Sequence, residues 1–180
     1  MGCKNSQCGC AKRRESNNPP EEVVTIPMPQ FVVTNVPIKV KKLMDSAVLP
    51  EYKTLDAAGM DLYAAENAVL VPGKVTMVAT GLAVEIPRGY ELQIRARSGM
   101  AAKGVMVVNG PGTIDSDYRG HVKILLTYVN ELQYGRFQIE VGDRIAQAVL
   151  APVTRAKLIE VEELSDTERG EGGFGSTGVK

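Results

Sequence analysis

Residues 169 to 180 read RGEGGFGSTGVK, a stretch in which glycine density, one arginine, one aromatic ring and two hydroxyls coincide. Glycines at 170, 172, 173, 175 and 178 let a backbone reach positive φ and bring its N–H groups close to phosphate oxygens. Ser176 and Thr177 add hydroxyl donors, and Arg169 offers a planar fork for a terminal phosphate. Phe174, isolated among glycines, has no neighbours with which to make a core and is placed to stack on a flat ligand such as a base. Read without a ligand, the same residues make a flexible Gly/Ser tail. They do not make a P-loop, because no Gly-Lys-Ser/Thr leads into a helix.

Four interior segments carry further chemistry. Ala58-Gly59-Met60-Asp61-Leu62 sets a carboxylate just inside a strand start, and Arg97-Ser98-Gly99 joins a guanidinium, a hydroxyl and a permissive backbone at a turn; together they suit phosphate. Asn109 to Gly120, NGPGTIDSDYRG, supplies an amide, a turn, two carboxylates and an aromatic on an expected β-hairpin. Alternation there puts Asp115 and Asp117 on one face, either a solvated face or a catalytic pair beside Tyr118 and Arg119. Gly142-Asp143-Arg144-Ile145-Ala146-Gln147 opens a long strand. Taken singly, Asp61 also reads as a surface turn residue, Arg97-Ser98-Gly99 as a helix entry and Gly142-Asp143-Arg144 as a plain hairpin connection. His121, the only histidine, lacks partners for a metal site.

The elements that must position these residues are strands. Ile38-Lys39-Val40, Gly81 to Ile86, Tyr90 to Ile94, Val105 to Val108 and Val122 to Val129 are short β-prone runs. Pro72-Gly73, Pro87-Arg88-Gly89, Asn109 to Gly112 and Val141-Gly142-Asp143 separate them at intervals suited to a sandwich or barrel. One short helix is expected over Ser98 to Lys103, entered at the serine. Residues 1–35, with prolines at 19, 20, 27 and 29 and the polar run CAKRRESNNPPEE, read as a mobile arm; 36–164 is the expected β domain and 165–180 a glycine-rich arm. Lys+Arg and Asp+Glu both count 21, so the broad basic footprint of a nucleic-acid-polymer binder is not expected. All three cysteines lie in the first ten residues and cannot staple the domain, which points to a reducing compartment. No run approaches a membrane span.

In this order, AGMDL, RSGMA, NGPGTIDSDYRG, GDRIAQ and RGEGGFGSTG resemble the five motifs of the trimeric deoxyuridine triphosphatase (dUTPase) family, from about Val36 to the C-terminus. Met100 stands where leucine is commoner, a volume-conserving swap. The resemblance implies an all-β, jelly-roll-like fold with at most one short helix, a homotrimer with shared sites, and Mg²⁺-dependent hydrolysis of dUTP to dUMP and diphosphate by water attack on the α-phosphorus. That reaction lowers dUTP and supplies the dTTP precursor. Asp115 would be the general base. Asn109, Thr113, Ile114 and the backbone to Asp115 would read uracil, and Tyr118 would lie under the deoxyribose and leave no room for a 2′-hydroxyl. Arg97, Ser98 and Gly99 would hold phosphates from a neighbouring subunit, with Lys123 a further contact. Asp61 and Gln147 would touch the metal through water. Arg169, Phe174, Gly175, Ser176 and Thr177 would close over the nucleotide from a third subunit.

Two alternatives share this fold: a dCTP deaminase or its bifunctional relative, whose chemistry calls for a glutamate-centred site, and a regulatory module that binds another protein. A dUTPase of this kind is expected in the cytoplasm, or the nucleus of a eukaryote. Met1-Gly2-Cys3-Lys4-Asn5-Ser6 followed by Lys12-Arg13-Arg14 fits a myristoylation pattern with a palmitate acceptor, so membrane contact is expected only if this end is lipidated. Otherwise Cys3, Cys8 and Cys10 are incidental or an incomplete metal site.

Overall fold

Val122 to Tyr128 alternates strictly, with Val122, Ile124, Leu126 and Tyr128 buried and Lys123, Leu125 and Thr127 turned outward, the period of a strand with one face on a core. The computed structural model describes residues 35–129, 135–173 and 176, and ten strands run through them. These are β1 (Lys39–Lys42), β2 (Met60–Tyr63), β3 (Ala68–Leu70), β4 (Val75–Glu85), β5 (Tyr90–Arg95), β6 (Val105–Val107), β7 (Gly112–Ile114), β8 (Val122–Tyr128), β9 (Phe137–Ile139) and β10 (Arg144–Pro152). They form one sheet in the order β1-β4-β8-β6, a second in the order β2-β10-β5-β7, and the small pair β3-β9. All the paired strands are antiparallel.

Leu62, Leu70, Val78, Leu92, Ile94 and Ile124, among others, meet in a single apolar core drawn from both large sheets. Aliphatic side chains on inward-facing strand positions, each stabilised by roughly 1.5–3 kcal/mol on full burial, thus hold the two layers together as a jelly-roll-like sandwich.

The expected helix is present but shorter. It covers Ser98–Ala101, here α1, and Arg97 occupies its cap position with no side-chain capping bond, so the serine is inside the helix rather than before it. A larger difference concerns Asn109 to Gly120, which is not a β-hairpin. β6 and β8 pair antiparallel in the first sheet, while β7 between them pairs with β5 in the second, so this segment is an excursion to the other layer and back rather than a tight hairpin. After Ile114 it leaves strand conformation and turns, the Tyr118 N–H donating to the Asp115 carbonyl at 3.1 Å. A turn between layers satisfies its own backbone and needs no partner strand. β3 and β9, three residues each, carry too short a pattern to be read locally.

The pair β5–β10 matters most for the site. Its register runs from Tyr90↔Pro152 at one end to Arg95↔Gln147 at the other. Each end of this ladder opens into a separate cleft.

Candidate active site

At the Arg95↔Gln147 end, Asp61 is brought opposite Gln147 by the β2–β10 ladder. Asp61 is only 8% exposed, and a carboxylate so placed requires partners. Arg97 Nε lies 2.8 Å from Asp61 Oδ1 and Arg144 Nη1 3.1 Å from Asp61 Oδ2. Arg97 also donates from Nη1 to the Arg144 carbonyl at 3.0 Å. The carboxylate therefore sets two guanidinium groups side by side. Gln147 is fixed by its Nε2 donating to the Ala96 carbonyl at 2.8 Å. A Cβ on Gly59 would meet Gln147 Oε1 at 2.6 Å, so glycine in AGMDL is needed to keep that amide in place.

A bulge in β10 makes this arrangement possible. Residues 144 and 147 of a regular strand point to opposite faces, but the register shifts between Arg144 and Ala146, adding a residue and bringing both side chains to one cleft. That cleft, about 250 Å³, is lined by Lys53, Asp61, Arg97, Ser98, Arg144 and Gln147 together with Ala57, Gly59 and Gly99. Three cations face one carboxylate. Such a surplus suits a polyanion, with arginine forks matching phosphate oxygens.

Sequence reading missed two members of this group. Arg144 lay within the quoted GDRIAQ segment, beside an assigned glutamine, which was a signal; Lys53 had none. Lys53 reaches the cleft from the strand-free stretch before β2, where Nζ pairs with Glu51 and sits 5.7 Å from the Tyr63 ring centre. Tyr63 Oη donates to Glu51 Oε1 at 2.6 Å. The hydrogen bond from Lys53, followed by that from Tyr63, holds the Glu51 carboxyl below its ordinary 4.5. The bond to Glu51 in turn raises Lys53 above 10.5.

At the other end of the β5–β10 pair, Asp115, Ser116 and Asp117 line a cleft of about 590 Å³ with Tyr90, Glu91, Thr154 and Arg155. Asp115 and Asp117 are exposed, with Ser116 half-buried between them and Ile114 half-buried just before them. Tyr118, 43% exposed, is anchored by its hydroxyl donating to the His121 carbonyl at 3.1 Å. A Cβ at Gly120 would run into the Tyr118 phenol, so glycine is required where the ring folds back. Asn109 lies over β7, its Nδ2 only 3.0 Å from where a Gly112 Cβ would be. β7 is the outermost strand of its sheet, so along Gly112, Thr113 and Ile114 one edge of the backbone faces no strand. His121 is structural: its Nε2 accepts from the Gly81 N–H at 2.9 Å.

The two clefts are five strand steps apart, roughly 17 Å at about 3.3 Å per residue. Asp61, Arg97, Ser98, Gly99 and Gln147 are therefore gathered at one end and Asp115 lies at the other, while β7 runs between the two, with Gly112, against which Asn109 packs, opposite Ile94, Thr113 opposite Gln93 and Ile114 opposite Leu92; Tyr118 follows on the turn after Asp115. Lys123 is exposed on β8, in register with Ala79. Arg169 donates from Nε to the Gly172 carbonyl at 2.8 Å, and the Ser176 N–H donates to Gly173 at 3.0 Å; these are local turns. Phe174, Gly175 and Thr177 lie outside the described residues, as do Cys3, Cys8, Cys10 and the rest of 1–34.

Among the described residues no three His, Cys, Asp or Glu side chains gather as a metal cage, and no helix is long and apolar enough to cross a membrane. Both Asp61 oxygens already face arginines.

The chain is thus an antiparallel β sandwich with a cationic cleft suited to a polyanion at one end of a strand pair and an acidic cleft at the other. The dUTPase family model matches residues 45–178. The chain is 57% identical over 143 residues to the deoxyuridine 5′-triphosphate nucleotidohydrolase of Nautilia profundicola, covering 78% of this chain and 98% of that protein. Among solved structures it is similar to the dUTPase of Staphylococcus bacteriophage 80alpha with dUpNHpp, at TM-score 0.71 and 34% identity over 81% of this chain and all of that one. It is also similar to a variant dUTPase from phage phi11 of S. aureus, described for its coordination of a structural Mg(II) ion, at TM-score 0.65 and 29% identity over 73% of this chain and 100% of that one. The chain belongs to the dUTPase family.

Proposed function

We propose that this protein hydrolyses dUTP to dUMP and diphosphate at sites shared between copies of the chain in a homotrimer. The observation that carries the sharing is the split described above. A base at Asp115 and a phosphate cradle at Arg97 cannot serve one α-phosphorus from roughly 17 Å apart along one chain's strands. A second copy supplies the missing half. The dUTP-analogue complex of the phage relative supports the substrate class.

Uracil is read by the free edge of β7 and by the amide of Asn109. A strand edge alternates N–H and C=O groups, and uracil presents acceptor, donor and acceptor in matching order; the exocyclic amine of cytosine sets a donor against a donor. Tyr118, pinned to the His121 carbonyl, presents its ring to the sugar and excludes a 2′-hydroxyl by bulk. Arg97, Ser98 and Gly99 hold the phosphates, with Arg144 beside them and Lys123 a further contact. Asp115, exposed on its turn, orients the attacking water and takes its proton. Mg²⁺ carried on the triphosphate would meet Asp61 and Gln147 through its waters and would supply charge neutralisation at the phosphates. In this reading the domain spans 36–164 and follows an N-terminal arm, residues 1–35. Residues 165–180 close over the nucleotide from a third copy, Phe174 on the base, Arg169 on the terminal phosphate, and Gly175, Ser176 and Thr177 adding donors. Asp115, not a glutamate, at the proposed base position favours diphosphate release over deamination.

Diphosphate release from dUTP, dCTP, dTTP and UTP tests the assignment. dUTP should be cleaved far faster than the other three; release of ammonia from dCTP would instead establish the deaminase alternative.

A further inference from the structure

β4 does not run straight past β8. Its register shifts between Ala79, opposite Lys123, and Leu82, opposite Val122, so Thr80 and Gly81 bulge out of the ladder. Gly81 sits at φ 71°, and a Cβ there would meet that of Ala47 at 2.7 Å, so the bend requires glycine. The Gly81 N–H donates to His121 Nε2 at 2.9 Å. Thr80, fully buried, donates from Oγ1 to the Val122 carbonyl at 2.6 Å. His121 and Val122, where the chain enters β8, are thus fastened by side chains to Gly81 and Thr80 of the bulge.

His121 also holds the far end of Tyr118, its carbonyl accepting the phenol hydroxyl at 3.1 Å. The Tyr118 backbone is held by its own turn: its N–H donates to the Asp115 carbonyl at 3.1 Å, and its carbonyl accepts from Arg119 Nη1 at 2.9 Å. The hydroxyl bond ties the ring to the sheet. Exclusion of a 2′-hydroxyl by bulk needs a ring that does not yield, held to within about 0.5 Å by the groups behind it.

We infer that His121 is a positioning residue for sugar selection: by accepting the Gly81 N–H with its side chain it fixes the carbonyl that in turn fixes the Tyr118 ring. The inference rests on the reading of Tyr118 as the wall against a 2′-hydroxyl. Loss of the imidazole acceptor leaves the partly buried Gly81 N–H unpaired, so the entry to β8 gives and the ring gives with it. dUTP needs no space at that wall and is turned over as before. UTP gains room for its extra oxygen. The effect therefore falls on the ratio between the two substrates and spares turnover of dUTP.

The test measures kcat and KM for dUTP and UTP in full-length His121→Leu, His121→Gln, Tyr118→Phe and Tyr118→Ala proteins. His121→Leu should lower the dUTP-to-UTP ratio of kcat/KM at least about tenfold through a gain on UTP, with kcat for dUTP within about threefold of wild type. His121→Gln, whose Oε1 accepts in place of Nε2, should keep the wild-type ratio. Tyr118→Phe should match His121→Leu, and the two substitutions together should be no worse than either alone, as for links of one chain. Circular dichroism identifies any His121→Leu protein that has not folded, and Tyr118→Phe then decides. A less stable His121→Leu protein with an unchanged ratio would overturn the inference, His121 then serving the sheet alone. An unchanged ratio in Tyr118→Phe, or a ratio lost equally in His121→Gln, would overturn it too. An unchanged ratio in Tyr118→Ala would instead remove the reading of Tyr118 as the sugar wall, and this inference with it.

Discussion

Arg97 Nε stands 2.8 Å from Asp61 Oδ1, while Arg144 meets the other oxygen of the same carboxylate at 3.1 Å. Asp61 thereby holds close together two guanidinium groups that repel each other without it. Asp61→Ala should cost roughly 1–3 kcal/mol of stability, read by denaturant unfolding, and raise KM for dUTP as the forks splay. Asp61→Asn, which keeps the shape and loses the charge, should be milder in unfolding. A variant as stable and as tight-binding as wild type would show that the pair does not organise the cleft.

Asp115→Asn should lower kcat by about 10²–10⁴ with nucleotide still bound, as expected for a lost general base. Equilibrium binding of a non-hydrolysable dUTP analogue measured beside turnover separates the two effects. Wild-type turnover would move the base elsewhere.

Lys53 and Glu51 make a prediction with a sign. With Glu51 held below its ordinary 4.5 and Lys53 raised above 10.5, the tether is intact across neutral pH. The Glu51 contribution is present above its unfolded value and lost as pH falls through the lowered one. The Lys53 contribution is present below its unfolded value and lost as pH rises through the raised one. Lys53→Gln should raise KM for dUTP about three- to tenfold by removing one cation from the cleft, with little change in kcat, and Lys53→Arg should restore most of it. An unchanged KM at low salt would place Lys53 outside the phosphate site.

Much of this was legible from short segments, and for a physical reason. RSGMA, NGPGTIDSDYRG and GDRIAQ each bring their chemistry within a few residues of chain, so residue types declare themselves locally. What joins the segments is not local. Arg144 reaches Asp61 from 83 residues away through a bulge that nothing in Arg144-Ile145-Ala146 announces. The opposite placement of the Asp115 and Arg97 clefts follows from the β5–β10 register together with the β5–β7 pairing that sets Ile114 opposite Leu92. Asn109 to Gly120 looked like a hairpin because its turn residues are those of a hairpin, whereas the chain first lends β7 to the other layer and only then returns as β8 to pair with β6.

Removal of residues 166–180 should leave assembly and fold intact and remove most activity, since the described part of this segment makes only local turns. Phe174→Ala should be milder. Base stacking is worth about 1–3 kcal/mol, so kcat/KM should fall roughly ten- to a hundredfold, with sedimentation and diphosphate release read separately. A fully active truncated protein would make the segment a linker only.

Subunit complementation tests the central claim most directly. Asp115→Ala and Arg97→Ala proteins, each inactive alone, are unfolded together, refolded as a mixture and assayed for diphosphate release from dUTP. Sites that take their base from one copy and their phosphate cradle from another should recover roughly a quarter of wild-type activity in a random equal mixture. Recovery no greater than the sum of the two parents, in a mixture shown to have co-assembled, would mean that each chain uses its own Asp115 with its own Arg97 and would contradict the shared site.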